Sequence, residues 1–250
     1  MDYRRHNVDL LRQHGDIASK RVLEIGGDSR GETARMLLEA GAREVVVTNV
    51  GHGISTGQLS EAISFRKIDA RRLHEAFPPG HFDAAFGVAV AEHIPDPAAW
   101  TESLAQVMAP GGHALVHGGP IWSGPHGHHV WVSIEGVDYR FTDKSNPLAA
   151  WDHLLHDQVS LAAYLVAEKA MPASHAAAVA HFVYVDANIN RVPYSRLCAE
   201  MGSGGMALAE VYPNIYRRPD AAMAERLAAS PLGPQESYEV SGAAFLLRRR

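Results

Sequence analysis

Cysteine is nearly missing from this chain. Its one thiol, Cys198, excludes an internal disulfide and any thiolate metal cluster. On a helical pattern over residues 194–201 it reads as a small apolar residue. No apolar run is long enough to span a bilayer, and the opening MDYRRHNVDLLRQHG lacks the apolar centre of a signal peptide. Basic charge is also in short supply. Lys and Arg total 23 against 28 Asp and Glu, leaving a net charge of -5. A nucleic-acid binder needs a cationic face to offset phosphate charge, so that class is disfavoured. The lone cluster, Arg248-Arg249-Arg250, reads as a solvated flank of the last strand. With 46% hydrophobic and 20% charged residues, the chain is globular. These absences predict a cytoplasmic protein with no membrane and no nucleic-acid partner; a homo-oligomer stays open.

The first half alternates short apolar runs with helical patterns, the signature of repeated βα units on a parallel sheet. Strands are expected at residues 20–25 (KRVLEI), 44–48 (EVVVT), 64–68, 82–88 (FDAAFGV) and 113–117. Helices are expected at 32–39, stopping at Gly41, and at 97–108, opening on a proline and ending at Pro110-Gly111-Gly112. After His117 the rhythm breaks into a stretch rich in His, Trp, Gly and Pro. It holds a hairpin pattern at 130–141 and Ala-rich helical patterns such as 149–156 and 161–169. Regularity returns with a strand at 206–212, a helix at 220–229 and a last strand at 238–248. The expected division is a core over 1–117, a substrate-binding lid inserted over 118–201, and the last core strands over 202–250.

The first strand runs into Glu24-Ile25-Gly26-Gly27-Asp28-Ser29-Arg30-Gly31 and then a helix. Glycines allow a sharp turn and close approach of a ligand. A dinucleotide fingerprint, G-x-G-x-x-G, does not fit, and Asp28 would repel a pyrophosphate. Glu24 and Asp28 suit a ligand with a positive amino or sulfonium centre.

VLEIGG at 22–27, FDAAFGVAVAEHIPDP at 82–97 and APGG at 109–112 stand in the order and spacing of three motifs of the class I, seven-strand methyltransferases, which this chain resembles. The resemblance implies an α/β, Rossmann-like, doubly wound seven-stranded sheet, mostly parallel with an antiparallel last strand, carrying a mainly helical lid between strands five and six. It implies S-adenosylmethionine as cofactor. Glu24, Gly26, Gly27 and Asp28 would border its methionine part, and Asp69, with Ala70 beside it, the adenine amino group. Val88 and Ala89 would pass beneath, and Glu92 and His93 would edge the pocket. Where members of the family carry an acidic residue for the ribose, this chain has Asn49, which hydrogen-bonds a diol without charge assistance. Two motif glycines are replaced by Asp28 and Arg30.

Ligands of such sheets sit beyond the carboxyl ends of the strands, where 117–129 (HGGPIWSGPHGHH) leaves the fifth strand. Its histidines admit three readings: a metal site, a general base, or structural contacts around Trp122 and Trp131. The candidate bases are His128 and His129 ahead of His117, and no metal is expected. Trp122, Tyr139 and Arg191 are candidate substrate contacts, Arg191 for a carboxylate. The expected reaction is methyl transfer to O, N or C of a small molecule, in specialised metabolism. Two rivals share the pocket: cyclisation of the cofactor itself, releasing methylthioadenosine, and a binding module without chemistry.

Overall fold

The computed structural model describes residues 2–51 and 53–250. The chain divides into two compact units. The first comprises 1–118, 197–212 and 243–250, and the second 119–196 and 213–242.

In the first unit, α1 (Tyr3–His14) opens on Asp2, whose carboxylate accepts the Arg4 amide at 2.9 Å. It buries Asn7, Val8, Leu10 and Leu11 on one face. No element was assigned to these residues from the sequence; a single N-cap and one apolar face suffice to form the helix. β1 (Arg21–Ile25), α2 (Glu32–Glu39) and β2 (Glu44–Asn49) follow. The runs Val22 to Ile25 and Val45 to Thr48 are buried throughout, as befits central parallel strands covered on both faces. Next come β3 (Gly57–Ser60), β4 (Ile63–Lys67), β5 (Phe82–Gly87), α3 (Pro97–Val107) and β6 (Met108–Gly118). Asp96 accepts the Ala99 amide and Pro97 fills the first turn of α3.

The second unit begins after β6 with a hairpin, β7 (Trp131–Ile134) and β8 (Val137–Arg140). Three helices follow: α4 (Asp152–Leu155), α5 (Gln158–Lys169), opened by an Asp157/Ser160 capping box, and α6 (Ala173–Tyr184). A core of Val130, Leu148, Leu161, Leu165, Ala176, Val179 and Val183 joins the hairpin to α5 and α6. The chain ends with α7 (Tyr194–Met201), β9 (Met206–Ile215), α8 (Ala221–Ala228) and β10 (Val240–Arg249).

The main sheet has eight strands in the order β3-β4-β2-β1-β5-β6-β10-β9, with the β4-β2-β1-β5-β6 block parallel and β10 antiparallel to β6. Seven strands were expected. The eighth, β3, is a four-residue edge strand with every residue exposed, held antiparallel to β4. Such a strand has no apolar alternation to betray it in sequence; backbone pairing alone forms it. The Pro-Gly-Gly turn also differs. β6 starts before it, and pairing with β5 jumps from Phe82–Met108 to Ala84–His113, so the turn bulges out of the ladder. Among the described residues no helix is long and apolar enough to cross a membrane.

Candidate functional site

The carboxyl ends of β1, β2, β4, β5 and β6 lie along one edge of the sheet in the first unit. The order reverses beside β1, where β5 lies on one side and β2 on the other, the switch point at which ligands bind such sheets.

Glu24, one residue before the end of β1, is only 3% exposed, and its Oε2 has no hydrogen-bond partner. Burial, helped by the nearby charge of Asp28, pushes its carboxyl up to about 8, although Arg4 and a hydrogen bond from Thr33 pull the other way. The glycine turn folds directly over it. Gly26 has φ +74° and donates its amide to the Thr48 carbonyl at 2.8 Å. At Gly27 an added Cβ would stand 2.5 Å from Val47 Cγ1 and 2.6 Å from Glu24 Oε1, so no larger residue fits. Asp28 does not project freely into the turn. Its carboxylate accepts the amides of Arg30 (2.8 Å) and Glu32 (3.3 Å), tying down the entry to α2. Arg30 pairs with Glu32 and is largely solvated.

Asn49, the last residue of β2, donates its amide to the Gly27 carbonyl at 2.9 Å and accepts the Gly51 amide at 2.8 Å. A carboxylate in its place would accept but not donate, so the departure from the acidic pattern has a reason in this turn. Farther along the edge, a depression of about 340 Å³ is lined by Val50, Lys67, Ile68, Asp69, Arg72 and Glu75. Asp69 heads a short 3-10 turn that begins at Ala70. Its carboxylate is gripped by Arg71 at 2.6 and 3.0 Å, and that hydrogen bonding holds it below the usual carboxylate range. Asp69 is thus already a paired group.

After β5, Val88 is half-buried and Ala89 is exposed with φ +53°, a left-handed conformation costly for a residue with a Cβ. Glu92 is buried and His93 exposed, their side chains 3.8 Å apart. His117, on β6, lies edge-on to Tyr3 with ring centroids 5.9 Å apart, and burial lowers its imidazole to about 4. Thus Glu24, Gly26, Gly27, Asn49, Asp69, Val88, Ala89, His93 and His117 all stand on the carboxyl side of the strands. Sequence reasoning missed the two α1 residues that reach this edge. Arg4 pairs with Glu32 at 2.7 Å and acts on Glu24 and Asp28, while Tyr3 packs on His117. Only the capped helix pattern of α1 could have signalled them.

The second unit holds the remaining candidates. His128 has no solvent exposure; its Nδ1 accepts the Val130 amide at 3.2 Å, and burial among His153, His126 and His129 drives its pKa well down. His128, a candidate base from the sequence, is enclosed in the packing of this unit. His129 has φ +52° and lies edge-on to Phe141. Trp122 packs edge-on against His153 and Tyr184, with its carbonyl 2.7 Å from His153 Nε2. Arg191, the candidate for a substrate carboxylate, donates its guanidinium to the carbonyls of Val183 (2.8 Å), Phe182 and Asp186 and closes the end of α6. Tyr139 donates to, or accepts from, His175 Nδ1 at 2.8 Å.

The donor set of the first unit fits a cationic adenosyl sulfur compound. A fully desolvated carboxylate with one oxygen unsatisfied needs a proton or a cation, and the two-glycine turn lies directly against it. Comparison with known proteins agrees. Residues 3–118 match the model of a methyltransferase domain. The ubiquinone biosynthesis O-methyltransferase of Yersinia pestis (strain Pestoides F) is 29% identical over 115 residues, in an alignment that covers 42% of this chain and 45% of that protein. The chain thus aligns with less than half the length of the curated relatives it matches. Among solved structures, an S-adenosylmethionine dependent methyltransferase from Mesorhizobium loti superposes with a TM-score of 0.54 at 18% identity, covering 96% of each chain. The [4+2]-cyclase SpnF superposes with a TM-score of 0.56 at 15% identity, covering 98% of this chain and 80% of that one. These structures share the fold alone, and the fold hosts more than one chemistry. The family match covers residues 3–118, a little under half of the chain, and over that stretch the chain is similar to a methyltransferase domain.

Proposed function

We propose that this chain transfers the methyl group of S-adenosylmethionine to O, N or C of a small molecule, with a hydroxyl oxygen the first acceptor to test. The observation that carries this reading is Glu24, buried and half-satisfied against a turn of two glycines. The family match supports the cofactor, and the O-methyltransferase relative supports the acceptor atom.

When bound, the cofactor supplies an electrophilic methyl carbon on a sulfonium, so the protein need supply no nucleophile. Glu24 would hold the positive methionine end, releasing its proton to solvent on binding. Gly26 and Gly27 admit the ligand to the backbone. Asn49 fixes the turn, and Asp69 with Ala70 borders the far end. The Val88-Ala89 loop supports the ligand from the β5 side. Such positioning is worth up to roughly 7–11 kcal/mol in well-oriented reactions. His117, held neutral by burial, would orient a hydroxyl acceptor by accepting its hydrogen bond at this edge.

Incubation of the chain with labelled cofactor and fractionated small-molecule extract should release S-adenosylhomocysteine. Methylthioadenosine as the nucleoside product would move the protein to cofactor cyclisation, and no calorimetric binding would leave neither reading standing. His117→Ala should lower turnover about 100-fold with cofactor affinity within about threefold. Equal turnover would remove His117 from the acceptor site.

A further inference from the structure

The second unit carries a cavity that the methyl-transfer reading does not use. It has a volume of about 520 Å³, and its wall includes Tyr139, Lys144, Pro147, Leu148, Lys169 and Met171. Two features give it a chemical character.

The first is unbalanced charge. Neither the Lys144 nor the Lys169 ammonium forms an ion pair among the described residues; Lys169 Nζ lies 5.5 Å from the Tyr164 ring centroid. The one lining carboxylate, Asp138, is already engaged by Arg140 at 2.6 Å and by the Ser133 hydroxyl at 2.7 Å. Two cations at one cavity in a chain of net charge -5 mark a place suited to an anion. The floor is apolar, with Leu148 and Met171 buried.

The second is rigidity. Tyr139 is fixed by a hydrogen-bonded series: its hydroxyl lies 2.8 Å from His175 Nδ1, and His175 Nε2 lies 3.4 Å from the Glu135 carboxylate. His175 is 5% exposed, so this series is anchored in the core of the unit. The Lys144 loop is fixed too, by Asp143 accepting the Ser145 amide at 2.8 Å and Asn146 accepting the Leu148 amide at 3.1 Å. A cavity with walls already ordered loses little conformational freedom on filling.

We infer that this cavity is a second ligand site, independent of the cofactor site, for a small molecule with an acidic head, carboxylate or phosphate, and an apolar body. Lys144 and Lys169 meet the head, and Pro147, Leu148 and Met171 meet the body against the fixed Tyr139 ring.

The full chain, saturated with S-adenosylhomocysteine, is titrated with octanoate, octyl phosphate and octyltrimethylammonium while the Met171 methyl resonance is followed by NMR. Both anions should shift it saturably, the tighter of the two naming the head, with the cation at least about tenfold weaker. The double variant Lys144→Gln/Lys169→Gln should weaken octanoate about tenfold with an unchanged circular dichroism spectrum. Tyr139→Phe, which removes only the hydroxyl clamp, should cost less than the double variant. The inference is overturned by equal binding of the cation, by undiminished octanoate binding in the double variant, or by a Met171 methyl that never responds. Because Met171 reports within the second unit, those outcomes are separate from failure of S-adenosylhomocysteine to bind.

Discussion

Glu24 and Asp69 stand on the same edge of one sheet and are governed by opposite balances. Glu24 is desolvated, lacks a partner for Oε2 and holds its proton up to about 8. Asp69 is near the surface, gripped by Arg71 and ionised well below neutrality. Both are acidic residues at motif positions, and sequence gives them equal standing. A motif therefore locates a carboxylate, but solvent and neighbours decide whether it arrives at a ligand charged, protonated or already paired.

The largest test of this contrast is Glu24→Gln. It should weaken binding of S-adenosylmethionine about 100-fold, since a buried charge-assisted contact is lost, as titration calorimetry would report. The same substitution should stabilise the ligand-free protein at alkaline pH. The folded state holds the Glu24 proton more tightly than the unfolded chain, so wild-type stability falls as pH rises from about 4.5 to about 8. In the variant that decline should be absent from melting curves across the same window. If affinity stays within about threefold of wild type, Glu24 is a buried structural acid and no more.

Gly27→Ala should come next. With Val47 and Glu24 atoms 2.5 and 2.6 Å from the new Cβ, overpacking should cost about 1–3 kcal/mol in denaturant unfolding and impair cofactor binding. Asn49→Asp sharpens the comparison in a less obvious way. Although it restores the acidic residue of the family pattern, it deletes the amide donated to the Gly27 carbonyl, and affinity should drop about threefold to tenfold. A gain in affinity would mean that the ribose contact outweighs the turn. The smallest effect is expected at Arg71. Because its pair with Asp69 is part-exposed, Arg71→Ala should change affinity by no more than about threefold, in the direction of tighter binding as Asp69 is released. A tenfold loss would show the arginine itself touching the ligand.

Much of the sheet was legible because parallel strands buried on both faces are unbroken apolar runs, as at Val22 to Ile25 and Val45 to Thr48. The edge strand β3 was not, since its four exposed residues carry no pattern. Likewise Glu24 and the glycines were visible as a turn with a cation's chemistry, whereas Arg4 and Tyr3 lie some twenty residues upstream and reach the site only because α1 packs beside α2 and β6. His128 and Arg191 were chosen as polar residues in an irregular stretch. What sequence spacing does not reveal is that one is sealed at zero exposure and the other closes a helix end.

By itself, then, the amino-acid order determined the βα repeat, the glycine turn and the placing of an acid before it, because hydrophobic period and glycine freedom act over neighbouring residues. Only the tertiary structure decided which acid is protonated, which histidine is reachable and which cations are left unbalanced at the Lys144–Lys169 cavity. Protonation and pairing depend on distance to solvent and to charges far away in the chain, and those distances exist only once the chain is folded.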